Sequence, residues 1–286
     1  MLLTLFTAVA LAAGPAQMTV GGSGWEKVFE ASAAEGFVTA VWAANRDEWF
    51  VGGKRGVTRV TKSGQEMRNT RSPVAGLFGE TPKSVFALGY DELVLHFNGK
   101  AWSEEHYVAT AKRGARDYDD LVQLAFYVPG DPRATLTAFG PHAVLQREIN
   151  GTWRAPSEPE RERLSSLAET GPAERPAGCA ADGWFWIGKD LAWFVCQDGR
   201  TFIRDRGQVM PKGRIPRACP TRTRAAFDGS EIYVACHDRG VWRTDGKTWR
   251  RLPRFAGQDQ ATFDISVADK CVFVTTKHAV WRRCEP

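Results

Sequence analysis

Short stretches in which apolar and polar residues alternate fill most of the chain, each bounded by Gly, Pro, Asn or Asp. That period-two pattern predicts β-strands, because successive strand side chains point to opposite faces. The stretches group into phrases that recur about every 40 residues, the signature of a repeat architecture. VAGLFGETPKSVFALGYDELVLHFNGKAW, from Val74 to Trp102, reads as an inner strand, a turn at Thr81-Pro82-Lys83, a second strand, a tight turn, a third strand, and Gly99 before Trp102. The phrase returns from Phe37, Leu121, Cys179 and Thr223, while the stretch from Thr262 supplies three strands and then ends. The expected fold is all-β: a β-propeller of about six four-stranded blades.

A last blade of three strands would leave an unpaired edge. Gly24-Trp25-Glu26-Lys27-Val28-Phe29 matches the fourth-strand phrases Gly99-Lys100-Ala101-Trp102 and Gly246-Lys247-Thr248-Trp249, yet no first three strands precede it. The N-terminal strand is therefore expected to complete the last blade. Upstream, MLLTLFTAVALAA followed by Gly14-Pro15 has the length and small-residue ending of a signal peptide and is too short to span a bilayer. No Lys or Arg precedes that run and no cysteine follows it to take a lipid. The division expected is a leader over 1–17 and one propeller domain over 18–286, with charged insertions near 109–120 and 156–176, the second holding a short surface helix with Ser157 near its start.

Composition agrees with this plan. The chain has 286 residues, 43% hydrophobic, with 11 Trp and 28 Gly, enough apolar material for a full core cut into short strands. Blades reading V-x-x-V-x-G, V-x-A-V-G and a D/N-G-x-x-W hairpin resemble bacterial exported β-propeller repeat proteins with kelch or Asp-box-like blades, closest in SVFALGYDELVLHFNGKAW; Thr244-Asp245-Gly246-Lys247-Thr248-Trp249 is similar to a shortened Asp-box. The resemblance implies a fold and carries no activity. Trp102, Trp153 and Trp249 read as core residues between blades, whereas Trp42, Trp184 and Trp186 fall on or near inner strands that would line the central channel.

Six cysteines occupy the C-terminal half. Cys179 and Cys219 are 40 residues apart, as are Cys196 and Cys236, so these pairs hold equivalent points of successive repeats. A two-residue turn at Lys277-His278 would set Cys271 opposite Cys284. Three sequential disulfides are expected out of 15 connectivities, in a periplasmic or extracellular setting. No CxxC occurs, so no thiolate metal site is expected, and no cofactor.

In a propeller, one face gathers the loops that enter each inner strand and those joining second to third strands. The latter set comprises Lys54 and Arg55; Tyr90, Asp91 and Glu92; His142; Gln197, Asp198 and Arg200; His237, Asp238 and Arg239; and Lys277 and His278. These are the candidate ligand-binding residues. The net charge is +5, yet Arg200 to Pro286 holds 18 Lys or Arg against 9 Asp or Glu. Such asymmetry would steer an anionic partner, an acidic polysaccharide, lipid headgroup or acidic protein surface, rather than nucleic acid. The favoured function is a non-catalytic recognition or scaffold module binding a protein or glycan through its loops, a monomer open to peripheral envelope association. The alternative is a propeller hydrolase or lyase acting on glycans or polyanions, for which Asp91, Glu92 and Asp238 would be the carboxylates available. GxSxG and HExxH are absent.

Overall fold

The computed structural model describes residues 24–33, 36–106, 123–125, 134–139, 144–148, 150–160, 162, 179, 181–188, 191–196, 198–205, 208–215, 224–236, 240–255 and 264–285. The leader expected over 1–17, the insertion expected near 109–120, His142, Gln197, Cys219 and His237 to Arg239 lie outside them, as does most of 156–176.

After β1 (Glu26–Glu30), the strands form successive antiparallel sheets of four. Blade one holds β2 (Val38–Asn45), β3 (Glu48–Gly53), β4 (Gly56–Thr61) and β5 (Gly64–Asn69). Blade two holds β6 (Val74–Thr81), β7 (Ser84–Gly89), β8 (Val94–Phe97) and β9 (Trp102–His106). Blade three holds β10 (Gln123–Ala125), β11 (Ala134–Phe139), β12 (Val144–Glu148) and β13 (Trp153–Arg154). Blade four holds β14 (Ala181–Gly188), β15 (Leu191–Cys196), β16 (Arg200–Asp205) and β17 (Gln208–Arg214). Blade five holds β18 (Arg224–Phe227), β19 (Ile232–Cys236), β20 (Gly240–Thr244) and β21 (Trp249–Arg251). In blade six, β22 (Ile265–Ala268), β23 (Cys271–Thr275) and β24 (Ala279–Cys284) are completed by β1, in the order β1-β24-β23-β22. The fold is a six-bladed β-propeller closed by its N-terminal strand, as the truncated last repeat implies.

Closure is held by register and by burial. Lys27 pairs with Trp281 and Phe29 with Val280. Trp25, 1% exposed, slots between blades five and six, where its indole Nε1 donates to the Pro253 carbonyl at 2.7 Å and its ring lies 5.1 Å from that of Phe255.

The core lies between blades rather than within any one of them. Second strands are apolar on both faces, as in Ile232-Tyr233-Val234-Ala235-Cys236, because each is covered on two sides. One seam joins Phe29, Val41, Trp49 and Phe273 of blades six and one; the next joins Phe50 and Val57 of blade one to Val85, Leu93, Leu95 and Phe97 of blade two. Outer strands differ in their share: β1 buries Phe29 and β13 buries Trp153, whereas every residue of β5 is exposed.

The D/N-G hairpins behave as their residues require. Asn98 Oδ1 accepts from the backbone N–H groups of Lys100 and Ala101, and Asp245 Oδ1 from those of Lys247 and Thr248. Gly99 and Gly246 both sit at φ 89°, a region that favours glycine. Of the tryptophans read as core, Trp153 is buried, and Trp102 and Trp249 are half-buried against the seams. Trp42 also packs between blades: a Cβ built on Gly79 of blade two would fall 2.3 Å from the Trp42 ring. The Trp184 and Trp186 side chains lie outside the described parts.

Cys271 and Cys284 face each other in the register and are bonded, with Cα atoms 4.0 Å apart. Cys179 is bonded to Cys196, and Cys236 is itself disulfide-bonded. Bonded cysteines fit an oxidising compartment. Residues 158–160 and 162 are helical, and the Ser157 N–H donates to Glu160, half of a capping box.

Candidate binding face

The loops joining second to third strands and those linking one blade to the next lie on the same side of the ring, because strand direction alternates within each blade. Their backbones are sewn together. Lys54 N–H donates to Phe37 O, Tyr90 N–H to Pro73 O, and Val38 N–H of blade one to Lys277 O of blade six. Lys54 and His278 converge from neighbouring blades on Gly36: the Lys54 stem lies where a Cβ on Gly36 would stand, and His278 Nδ1 is 3.1 Å from the Gly36 carbonyl. Lys54, Arg55, Lys277 and His278 remain exposed.

Asp91 and Glu92 play a different part from the one their position suggests. Both adopt left-handed backbone, φ 56° and 55°, in the tight turn between β7 and β8. Ser72 Oγ donates to Asp91 at 2.7 Å, and His106 Nε2 lies 3.3 Å from Glu92 Oε2. These carboxylates brace the turn against the blade-to-blade linker and the outer strand. Asp198 similarly accepts from its neighbour Arg200 at 2.6 Å, with Arg214 at 3.6 Å.

A second polar line runs along the channel. Inner strands are sheet edges, so the amides of β2 need partners. Blade six supplies them: Asp264 accepts from Val41 N–H, Ser266 Oγ from Ala43 N–H, and Asp269 from Arg46 N–H. Burial pushes the Asp264 carboxyl up to about 6, against the opposing pull of the Arg224 charge and of the Val41 and Ile265 amides.

Between blades two and three, Glu105 receives a two-point grip from Arg147 at 3.0 Å, the Trp153 indole at 2.7 Å and His96 Nδ1 at 3.0 Å. Burial raises the pKa of this carboxyl, but hydrogen bonds from His96, Arg147 and Trp153, with the Arg147 charge, outweigh it and hold Glu105 at about 2. The arrangement is an inter-blade clamp.

The basic excess of the C-terminal third is partly cancelled in place. Arg282 bonds Glu26 at 2.7 Å, and Arg243 reaches both Glu231 and Glu285. Lys247, Arg250 and Arg254 stay exposed on the outer rim of blade five.

Seams differ in how well they are filled. Where blades six and one meet at the loop face, about 20 Å³ stays open beside Phe37, Lys54 and Met67. Where blades one and two meet, a groove of about 320 Å³ opens beside Arg68, Asn69, Thr70, Arg71, Leu93, Leu95 and Glu104. Of these, none was singled out by the sequence, since a basic residue on an outer strand reads as ordinary solvated surface.

Solved structures share this architecture. YCF48 from Cyanidioschyzon merolae matches with a TM-score of 0.56 at 13% identity, over 91% of this chain and 98% of that one. Six sheets in a ring are a β-propeller. The structure described as YCF48 bound to D1 peptide matches at 0.55 and 11%, over 92% and 97%. The extracellular domain of a putative one-component system from B. thetaiotaomicron also matches at 0.55 and 11%, over 90% of this chain and 40% of that one. At these identities the likeness shows the fold. No protein-family model matches the chain, and no curated protein matches its sequence.

Proposed function

We propose that this chain is an exported, non-catalytic recognition scaffold that holds a protein partner on its loop face. The observation that carries the reading is the sewn platform: loops of adjacent blades share backbone hydrogen bonds, while Lys54, Arg55 and Lys277 project from it unburied. A rigid face loses little conformational entropy on binding, and its cations suit an acidic protein surface. Asp91 and Glu92, the described carboxylates of the loop set offered to catalysis, are engaged in bracing, which favours binding over turnover. Two further facts support the reading: one structural neighbour is a propeller bound to a peptide, and the disulfides suit a compartment outside the cytoplasm.

A photo-crosslinking residue placed at Lys54 or Lys277, in cells of the source organism, should yield an adduct with a protein. The same residue at Lys100, on the opposite face, should not. Adducts from Lys100 alone, or from neither face, would defeat the proposal.

A further inference from the structure

The seam between blades one and two is filled unevenly along its length. Trp102, the first residue of β9, closes its lower part, with its ring 5.8 Å from Phe50 and 5.3 Å from Phe97. Two residues on, the same face of β9 presents Glu104 opposite Leu95. A carboxylate on that exposed strand cannot close an apolar seam as an indole does, so the 320 Å³ groove begins there, with Leu93 and Leu95, 2% and 1% exposed, as its floor. That volume lies at the lower end of small ligand sites.

Its opposite wall is, among the described residues, a free sheet edge. β5 is the last strand of its sheet, and Thr70 N–H donates to Arg55 O at 2.9 Å. Bonded pairs alternate along an antiparallel ladder, so Gly64, Glu66 and Arg68 point their backbone groups at β4, while those of Gln65, Met67 and Asn69 point outward. Such an edge accepts an added strand. The rim adds charge: neither Arg68 nor Arg71 forms an ion pair among the described residues, and the wall offers a single carboxylate, Glu104.

We infer that this groove receives an extended peptide segment of a partner protein, which pairs with β5, seats an apolar side chain on Leu93 and Leu95, and sets an adjacent carboxylate between Arg68 and Arg71. The inference rests on the scaffold reading and gives it a location and a chemistry. The open edge supplies backbone hydrogen bonds, the floor selects an apolar side chain, and the two guanidinium groups select an acidic one.

The test is fluorescence anisotropy of the full chain with a labelled Thr-rich peptide holding one Leu-Glu pair, beside Leu-Gln and Ala-Glu counterparts. Leu-Glu should bind tightest. Arg71→Ala should weaken it about tenfold, the loss of one charge-assisted contact. Arg71→Lys should restore part of the loss, and Glu104→Gln should tighten binding by removing a like charge. Asn69→Pro should weaken all three peptides by removing an outward N–H. Glu104→Phe should abolish binding while leaving the melting temperature equal or higher, because it extends the Trp102 plug. Equal binding of the three peptides, or unaltered binding to folded Glu104→Phe protein, overturns the groove. If those results came with adducts from Lys54 and Lys277 intact, the groove alone would fail; loss of both would remove the scaffold reading as well.

Discussion

Replacing Trp25 with alanine tests the closure on which the ring depends. The side chain is 1% exposed and packs among Tyr233, Val241, Leu252, Phe255, Ile265 and Val274, so its removal leaves a large cavity between blades five and six. Losses of this kind cost about 3–5 kcal/mol, the deleted burial plus the void that the neighbours fail to fill. For a domain this size each kcal/mol lowers the melting temperature by about 2–4 °C, so Trp25→Ala should melt roughly 10 °C below the parent. Trp25→Phe keeps most of the ring but loses the 2.7 Å bond to Pro253, whose carbonyl belongs to an exposed residue and can turn to water. That variant should lose about 1–2 kcal/mol. Calorimetry measures both, and hydrogen exchange locates the effect: the amides of β24 that face β1 should lose protection in Trp25→Ala before those of β23. Melting within about 2 °C of the parent, with β24 equally protected, would refute the idea that β1 closes the ring.

Other outcomes follow from the clamps and seams. Glu105 is held at about 2, below its ordinary 4.5, so its stabilisation is full above pH 4.5 and fades as pH falls toward 2. Glu105→Gln should cost about 1–2 kcal/mol at neutral pH, allowing for solvent screening, and its melting temperature should approach that of the parent in acid. Asp264 runs the other way: with its carboxyl raised to about 6, the folded state is penalised as pH rises from 3.8 through 6. Asp264→Asn keeps an acceptor for Val41 N–H and should raise the melting temperature at pH 8, with the gain vanishing near pH 4; an equal change at both values would exclude this cause. Gly79→Ala must displace the Trp42 ring and should cost about 1–3 kcal/mol. The double variant with Trp42→Leu should be less destabilised than the sum of the singles, whereas simple additivity would mean the two do not meet.

Several features were legible because they are local or repeated. A hairpin register is set by the turn and by a side-chain period of two, so Lys277-His278 alone puts Cys271 opposite Cys284, and Cys284 is where the bond forms. The glycine-then-tryptophan phrase reads as an outer strand at residues 24–29 for the reason it does at 99–102, and Trp25, two blades round the ring from Trp102, likewise packs against the preceding blade. Among the described loops, strand alternation likewise assigns the second-to-third turns and the blade-to-blade linkers to one side.

What each loop residue does there was not legible. Asp91 and Glu92 carry the residue types of a catalytic pair, but their partners Ser72 and His106 lie 19 and 14 residues away, on elements brought together only when the blade forms. The Asp264–Val41 and Arg282–Glu26 contacts join residues 223 and 256 positions apart, across the ring closure. Counting charges located a basic C-terminal third, and folding decided which of those charges meet a carboxylate.

By itself, then, the sequence determined the strands, their order, the closing segment and the side from which loops project, because alternation, glycine turns and a repeated phrase act over a few residues at a time. The tertiary structure decided which seam is plugged and which is left open, which acids brace turns, and where free cations stand beside a free edge. Those outcomes depend on side chains that meet across blades, where packing joins residues whose spacing along the chain carries no signal.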